Sequence, residues 1–265
     1  MLDLEAEVLQ GYWHDALSWI RGAADGVPRE RLLDLGAGTG AGALGLAQHF
    51  TGAEVVAVDV APDSLRRLHV KALELGLAAR VTGVEVDLDA GWPDLGAFDL
   101  TLASMSLHHM ADPSRVLRDV LAATRPGGLI AVVEFAEPLR FLPDDLGIGR
   151  PGFEDRLIDT VTSALREEMP TLGSAWAPRL TGTGWTVLEE REFSIDQSPP
   201  APPSANRYAR AWFTRLSHAK ADSLDPEDRA TLATLLADDG ENSVLHRKDL
   251  HIRGSRTITL ASRVS

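Results

Sequence analysis

The tightest constraint in this 265-residue sequence is a turn. The apolar run RLLDLGAG (31–38) breaks into glycine at alternate positions, Gly36, Gly38 and Gly40, and the stretch after Thr39 continues with Leu44, Leu46, Ala47 and Phe50 at helical spacing. Glycine at such positions lets a strand turn sharply into a helix and approach a ligand with no Cβ in the way. The N-terminus of the following helix is left open towards that ligand. A chain that feeds strands into helices through turns of this kind is committed to an α/β architecture.

The rest of the first half keeps the same alternation. EVVAVDV (54–60) is Val-rich and too short for a helix. Pro62 then opens an amphipathic segment with Leu65, Leu68, Ala72 and Leu75 on one stripe and Gly76 as its stop. VTGVEVD (81–87), FDLTLAS (98–104) and LIAVVEF (129–135) read as further strands. Between the last two, Asp112 is a good N-cap with Pro113 at the first helical position, and Val116, Leu117, Val120 and Leu121 follow at helical spacing until Pro126-Gly127-Gly128 ends the helix in a turn. Strands apolar on both faces and separated by helices predict a doubly wound, mostly parallel sheet.

Beyond Phe135 the rhythm changes. A Pro/Gly-rich loop is expected over 136–151 and a helix over 152–168. TVLEEREFSI (186–195) alternates like a strand with a solvated face carrying Glu189, Glu190 and Glu192. SPPAPPS (198–204) excludes helix and central strand. Helices are expected over Arg207–His218 and Pro226–Ala237, and RTITLASR (256–263) returns to strand.

Acidic residues stand at the ends of three consecutive strands. Asp34 lies two positions before Gly36, Asp59 ends the second strand at the spacing where a carboxylate meets the two ribose hydroxyls of a nucleoside, and Asp87 ends the third. In an open parallel sheet ligands lie at that edge, outside the carboxyl ends of the strands.

With these residues in place, 31–135 resembles the class I, Rossmann-like S-adenosylmethionine-dependent methyltransferases. LLDLGAGTG is similar to the family's first motif, VVAVDVAPDSL to its acidic second-strand motif and VEVDLDAGW to its adenine-flanking segment. FDLTLASMSLHHMADPSRVLRDVLAATRPGG resembles its fourth strand and the helix after it. The resemblance implies a seven-stranded sheet with an antiparallel last strand, and S-adenosylmethionine as cofactor. It places Gly36, Gly38 and Gly40 beneath the methionine part and Asp34 near the amino end. Asp59 would take the ribose hydroxyls, with Val60 beside the adenine. Asp87 and the Leu88 N–H would meet the adenine edge, and the Ser104 backbone the cofactor's amino group. Acids suit a cationic sulfonium better than a pyrophosphate, which calls for N–H groups and cations.

A net charge of −13 and only three lysines (Lys71, Lys220 and Lys248) argue against nucleic acid as a partner. No cysteine is present, which removes thiolate nucleophiles and Cys-ligated metal, and no His-Glu-x-x-His occurs, so no metal is expected. No uncharged apolar run approaches the ~18 residues of a membrane span. MLDLEAEVLQGYWHD lacks the basic start of a signal peptide, and a cytoplasmic address is expected. The competing readings are a nicotinamide-dependent dehydrogenase, since Gly36-x-Gly38-x-x-Ala41 satisfies the loose dinucleotide fingerprint, and a non-catalytic S-adenosylmethionine binder. Against the first, neither Tyr12 nor Tyr208 has a lysine four residues on.

His108 and His109, just past the fourth strand, are the candidate catalytic residues, as a general base, as substrate contacts or as packing, with His108 preferred. The acceptor is expected to be a small molecule and the chain a monomer or homodimer. Tyr12, Trp13 and His14 on an N-terminal helical segment (1–30) are candidate acceptor contacts, although Trp13, Leu17 and Ile20 also fit a plain core stripe. Residues 136–195 are expected to complete the core with its last helix and sixth strand, and 256–265 to give the final strand. The intervening 196–255 would be a helical insertion, either a lid supplying Trp212, Phe213 and Arg210 or a dimer contact, since so long a connection is uncommon without a purpose.

Overall fold

Four short apolar runs form the parallel heart of a sheet: β1 (Arg31–Leu35), β2 (Glu54–Asp59), β3 (Val81–Glu85) and β4 (Phe98–Ser104). The computed structural model describes residues 1–25, 29–169, 171–220 and 223–264. Among these, three longer strands complete a seven-stranded sheet: β5 (Thr124–Arg140), β6 (Thr186–Gln197) and β7 (Ile252–Ser262), in the order β3-β2-β1-β4-β5-β7-β6. β1 pairs in parallel with β2 and β4, β2 with β3, and β4 with β5. β7 runs the other way. Gly127 N–H donates to the Arg263 carbonyl at 3.0 Å and His251 N–H to Phe141 at 2.9 Å, so numbers rise along β5 as they fall along β7. The doubly wound, mostly parallel sheet with an antiparallel last strand is therefore the architecture found.

Helices α1 (Leu2–Val8), α2 (Gln10–Ala23), α3 (Ala41–His49), α4 (Pro62–Glu74) and α5 (Pro113–Ala123) fall in the first half. The second half holds α6 (Phe153–Glu168), α7 (Trp176–Gly182), α8 (Ala205–Lys220) and α9 (Pro226–Leu236). The expected caps do their work. The Asp112 carboxylate accepts the Arg115 N–H at 2.9 Å. At the end of α4, Gly76 N–H bonds the Leu73 carbonyl and Leu77 N–H the Ala72 carbonyl, with Gly76 at φ +69, the paired closure that satisfies a helix's last carbonyls. That closure corrects one expectation: Leu75 is exposed, and Leu77, folded back by the turn, takes the buried place.

Two further expectations are corrected along β5. Pro126-Gly127-Gly128 is not a separate turn, and 136–140 is not loop; both belong to the strand. The cause is the antiparallel partner, which supplies backbone hydrogen bonds that no local pattern announces. Pro138 is tolerated because β7 offers Gly254 opposite it, where a Cβ would come 3.0 Å from the Pro138 carbonyl oxygen. β3 stops at Glu85, two residues before Asp87.

The chain divides into two compact units. One gathers Met1–Gln10, Ala136–Leu172 and Ser194–Ser255; the other gathers Gly11–Phe135, Gly173–Phe193 and Arg256–Ser265. The first holds a helical core in which Phe141 lies against Tyr208, Trp212 and Phe213 at ring separations of 5.5, 6.3 and 6.0 Å. The second is the sheet unit. Leu33, Leu35, Val58, Phe98, Ala103, Val132 and Ala261 pack with Val116, Leu117 and Val120 of α5 and Leu180 of α7 into one apolar cluster. Residues 1–30 are shared, α1 going with the helical unit and nearly all of α2 with the sheet.

Candidate functional site

β1 is flanked by β2 on one side and β4 on the other, so the strand order reverses there, and the loop leaving β1 sits where open α/β sheets bind ligands. The loop is held by its own backbone and by neighbours. Gly36 and Ala37 N–H both reach the Val58 carbonyl at 2.9 Å, and Lys71 Nζ of α4 holds the Thr39 carbonyl at 2.7 Å. Gly36, Gly38 and Gly40 all have positive φ (+72, +52 and +90). At two of them the need for glycine is also internal. A Cβ on Gly36 would lie 2.4 Å from the Ser106 Cβ, and one on Gly40 would lie 2.1 Å from the Leu68 Cδ1.

Asp34 is 2% exposed, tucked against the start of α3, where it accepts the Ala43 N–H. Burial pushes its carboxyl up to about 7; the Ala43 bond opposes that rise and the nearby Asp59 charge adds to it. Its Oδ2 is buried with no hydrogen-bond partner among the described residues. A buried acid left half-satisfied beside a glycine loop stores an attraction for a cationic or hydrogen-bonding group.

Asp59, at the end of β2, is half-buried and already busy. Its Oδ2 accepts the Gly38 N–H at 2.7 Å and its Oδ1 the Ala61 N–H at 2.8 Å. The carboxylate thus ties the glycine loop to the end of β2, and each oxygen keeps a lone pair for a further donor. Asp87 is exposed, and its Oδ1 accepts the Asp89 N–H at 3.0 Å in a turn of its own; Leu88 beside it is buried, and Val60 is exposed. The segment around Leu88 is held from the β4 side. Asp89 Oδ1 accepts the Ala111 N–H at 3.0 Å, and the Arg115 guanidinium bonds the Leu88 carbonyl.

Ser104 ends β4 and is followed by Met105 at φ +54, the only non-glycine residue in the left-handed region among those described. Such a conformation is held only where its surroundings impose it. Here Met105 N–H bonds the Val133 carbonyl at 2.9 Å and Ser106 Oγ bonds the Leu35 carbonyl at 2.6 Å, which anchor the turn to β5 and β1. The structure therefore brings Asp34, Gly36, Gly38, Gly40, Asp59 and the Ser104 turn around one strand-end loop.

A family profile described as a methyltransferase domain matches residues 33–130. That span is the loop, both acids, β2 to β4 and the Ser104 turn. That stretch of the chain is similar to a methyltransferase domain. It is similar to a demethylmenaquinone methyltransferase of Thermus thermophilus, 37% identical over 126 residues, a match covering 46% of this chain and 56% of that relative. The chain thus spans about half the length of the curated relatives it matches. In fold it is similar to the YcgJ protein of Bacillus subtilis, with a TM-score of 0.59 at 16% identity over 95% of this chain and 99% of that one. It is also similar to a methyltransferase from Thiobacillus denitrificans solved with S-adenosyl-L-homocysteine, with a TM-score of 0.51 at 18% identity over 92% and 90%.

Within the matched span, His108 and His109 sit in a 3-10 turn, Leu107–His109, directly after Met105 and Ser106. His109 is exposed. His108 is 5% exposed, with its Nδ1 2.7 Å from the Glu134 Oε2 and its ring 5.7 Å from Phe135. Glu134 is absent from the sequence reading. Its signal was the one acid in LIAVVEF, a polar atom in a strand otherwise written to be buried.

The candidate acceptor residues divide differently. Tyr12 is buried on α2, edge-on to Trp13 at 5.7 Å and to Phe193 at 6.5 Å; Trp13 is half-buried; His14 is exposed, with its ring 5.6 Å from His49. Trp212 belongs to the helical unit and is half-buried. The expectation that Phe213 and Arg210 contact an acceptor is corrected: Phe213 is wholly buried against Phe141, and Arg210 pairs with Asp238. No helix among the described residues is long and apolar enough to cross a membrane.

Proposed function

We propose that this chain transfers the methyl group of S-adenosylmethionine to a small-molecule acceptor by in-line displacement. The observation that carries the reading is the buried, half-satisfied Asp34 beside a positive-φ glycine loop that Asp59 clamps in place. S-adenosylmethionine supplies a methyl group already activated by a positive sulfur. The chain's own work is then alignment and exclusion of water. Asp34 would receive the cofactor's amino end, and Asp59 would use its remaining lone pairs for the ribose hydroxyls. Asp87 and the Leu88 N–H would meet the adenine, with Val60 along its face, and the Ser104 backbone would hold the amino group. Gly36, Gly38 and Gly40 keep the loop low enough for this approach.

His108 would take a proton from an acceptor that must lose one as the methyl arrives. His109, Tyr12, Trp13 and His14, all of the sheet unit, are the proposed acceptor contacts. An acidic surface (net charge −13) favours a small acceptor over a polyphosphate, in keeping with the small acceptor named for the Thermus relative.

The test has two steps. Calorimetry with S-adenosylmethionine, S-adenosylhomocysteine and NAD(H) should show binding of the first two only; a preference for NAD(H) overturns the reading. Release of S-adenosylhomocysteine is then followed over a panel of small molecules offering oxygen, nitrogen, carbon or sulfur acceptors, demethylmenaquinone among them. Tight cofactor binding with no turnover on any of them would leave a binding protein.

A further inference from the structure

We infer that Asp89 and Arg115 are positioning residues that set base specificity in the cofactor site. They hold the Asp87–Leu88 step where it reads the amino edge of adenine, and so make the site reject a base that carries a carbonyl there. This rests on the reading of Asp87 and Leu88 as the adenine contacts and names the two residues on which that contact depends.

The step stands beyond the sheet. β3 is an edge strand ending at Glu85; the Val86 N–H still bonds the Asp59 carbonyl at 3.0 Å, and after it the chain leaves the strand pairing. Asp87 then closes a turn on itself, its Oδ1 taking the Asp89 N–H at 3.0 Å and its carbonyl the Ala90 N–H at 3.2 Å. Those bonds give the turn a shape without fixing where it points. Leu88, buried in the apolar cluster, sets its depth. Two polar ties set its direction: Asp89 Oδ1 accepts the Ala111 N–H at 3.0 Å, and the Arg115 guanidinium bonds the Leu88 carbonyl. Arg115 is itself aimed by Asp119, one turn along α5, which takes one terminal nitrogen at 2.8 Å and leaves the other for Leu88.

Neither tie is needed by the helix it reaches. α5 is already capped by Asp112, whose carboxylate takes the Arg115 N–H at 2.9 Å, so Asp89 adds nothing to its first turn and bonds the N–H of Ala111, before the helix begins. Ala111 is exposed, where water would serve that N–H as well. What the ties add is geometry: a loop held before the ligand arrives loses little order when it binds. The recognition that depends on this is directional. Adenine presents an amino donor to a carboxylate that can only accept, and beside it a bare ring nitrogen to the Leu88 N–H. Hypoxanthine reverses both, with a carbonyl in place of the amino group and a hydrogen on the ring nitrogen. Asp87 is exposed, and an exposed acid on a loose loop can swing aside and admit either base. One whose neighbours are tied to α5 and the loop before it cannot, and a hydrogen bond weakens steeply with misalignment.

The decisive measurement is a ratio. Calorimetry on the full chain compares S-adenosylhomocysteine with S-inosylhomocysteine, which differs only at that base edge. The unaltered protein should prefer the first by about tenfold or more, the scale of a hydrogen bond to a charged group. In Asp89→Ala and in Arg115→Met the ratio should fall by about threefold or more, and furthest in the double variant, through weaker binding of the adenine ligand. Asp89→Asn, which keeps an acceptor oxygen, should retain it. A merely structural role would weaken both ligands alike and leave the ratio in place; that result in a folded double variant overturns the inference. A second readout needs no variant. In the ligand-free chain the exposed Ala111 amide, bonded to Asp89, should exchange its hydrogen about tenfold or more slowly than an open-chain amide, and exchange at the open-chain rate overturns the inference too. An unaltered protein that binds both ligands equally would instead remove Asp87 and Leu88 from the adenine, the reading on which the inference stands.

Discussion

Replacing Asp34 by Asn tests whether its burial serves the cofactor or the fold. With its carboxyl raised to about 7 from an ordinary 3.8, Asp34 holds a proton more tightly in the folded chain than in the unfolded one. Between those two values the native state binds more protons, so stability falls as pH rises from about 4 to 7, by at most about 1.4 kcal/mol per pH unit for this group. Integrated over the interval, keeping the carboxylate ionised at pH 8 costs the fold about 4 kcal/mol. Asp34→Asn removes that cost while its amide oxygen can still accept the Ala43 N–H. The variant should therefore be at least as stable as the parent at pH 8 in chemical denaturation. A structural acid would show the reverse.

Binding is expected to move the opposite way. If the ionised carboxylate is the form that receives the cofactor's cationic end, affinity rises through the group's titration, by about fivefold between pH 6 and 7 for a value near 7. At pH 7 about half a proton should be released per cofactor bound, measurable by calorimetry in buffers of different ionisation enthalpy. Asp34→Asn should bind more weakly and lose both effects, and subtracting its profile removes the ligand's own titration. An affinity independent of pH in the parent, or an identical profile in the variant, refutes the assignment of Asp34 to the cofactor.

Three further outcomes follow from the same geometry. Gly40→Ala places a Cβ 2.1 Å from Leu68 at φ +90, and should cost roughly 1–3 kcal/mol of backbone strain before the clash is counted; a melting point within a degree of the parent's contradicts it. His108→Ala leaves the Glu134 carboxylate buried and alone, a loss on the order of 3–5 kcal/mol, and the double variant with Glu134→Leu should regain much of it; additive losses in denaturation would mean the pair is not coupled. Asp59→Ala should weaken S-adenosylmethionine by more than about tenfold, on the scale of hydrogen bonds to a charged group, and also free the Gly38 N–H; unchanged calorimetric affinity would remove Asp59 from the site.

The parallel half of the fold was legible because its signals are local. An apolar strand, a glycine turn and an N-capped helix each fit within a few residues, and Asp112 with Pro113 or Gly76 with Leu77 work as local chemistry says they should. What stayed hidden depends on distant partners. β5 extends through Pro126-Gly127-Gly128 and past Pro138 because β7, over a hundred residues later, supplies its hydrogen bonds and a glycine opposite the proline. Phe213 and Trp212 are neighbours in sequence and both lie against Phe141, and only the folded chain shows that Phe213 is wholly buried and Trp212 half-buried.

The candidate site shows the same division. Spacing could find Asp34, Asp59 and the three glycines, but it supplied only one of the reasons for them. Gly36 and Gly40 are glycine because Ser106 and Leu68 fill the space a Cβ would need, and Asp59 spends one oxygen on the loop's Gly38 N–H and the other on the Ala61 N–H just past β2. A loop fixed this firmly arrives at the ligand already shaped, so binding need not order it. Beside this loop Asp34 is left unsettled, since its burial is unfavourable when it is charged. Rigid walls around one uncomfortable carboxylate make a site that a cation relieves and an anion aggravates. That asymmetry, more than the glycine pattern shared with dinucleotide folds, favours a sulfonium amino acid over a pyrophosphate.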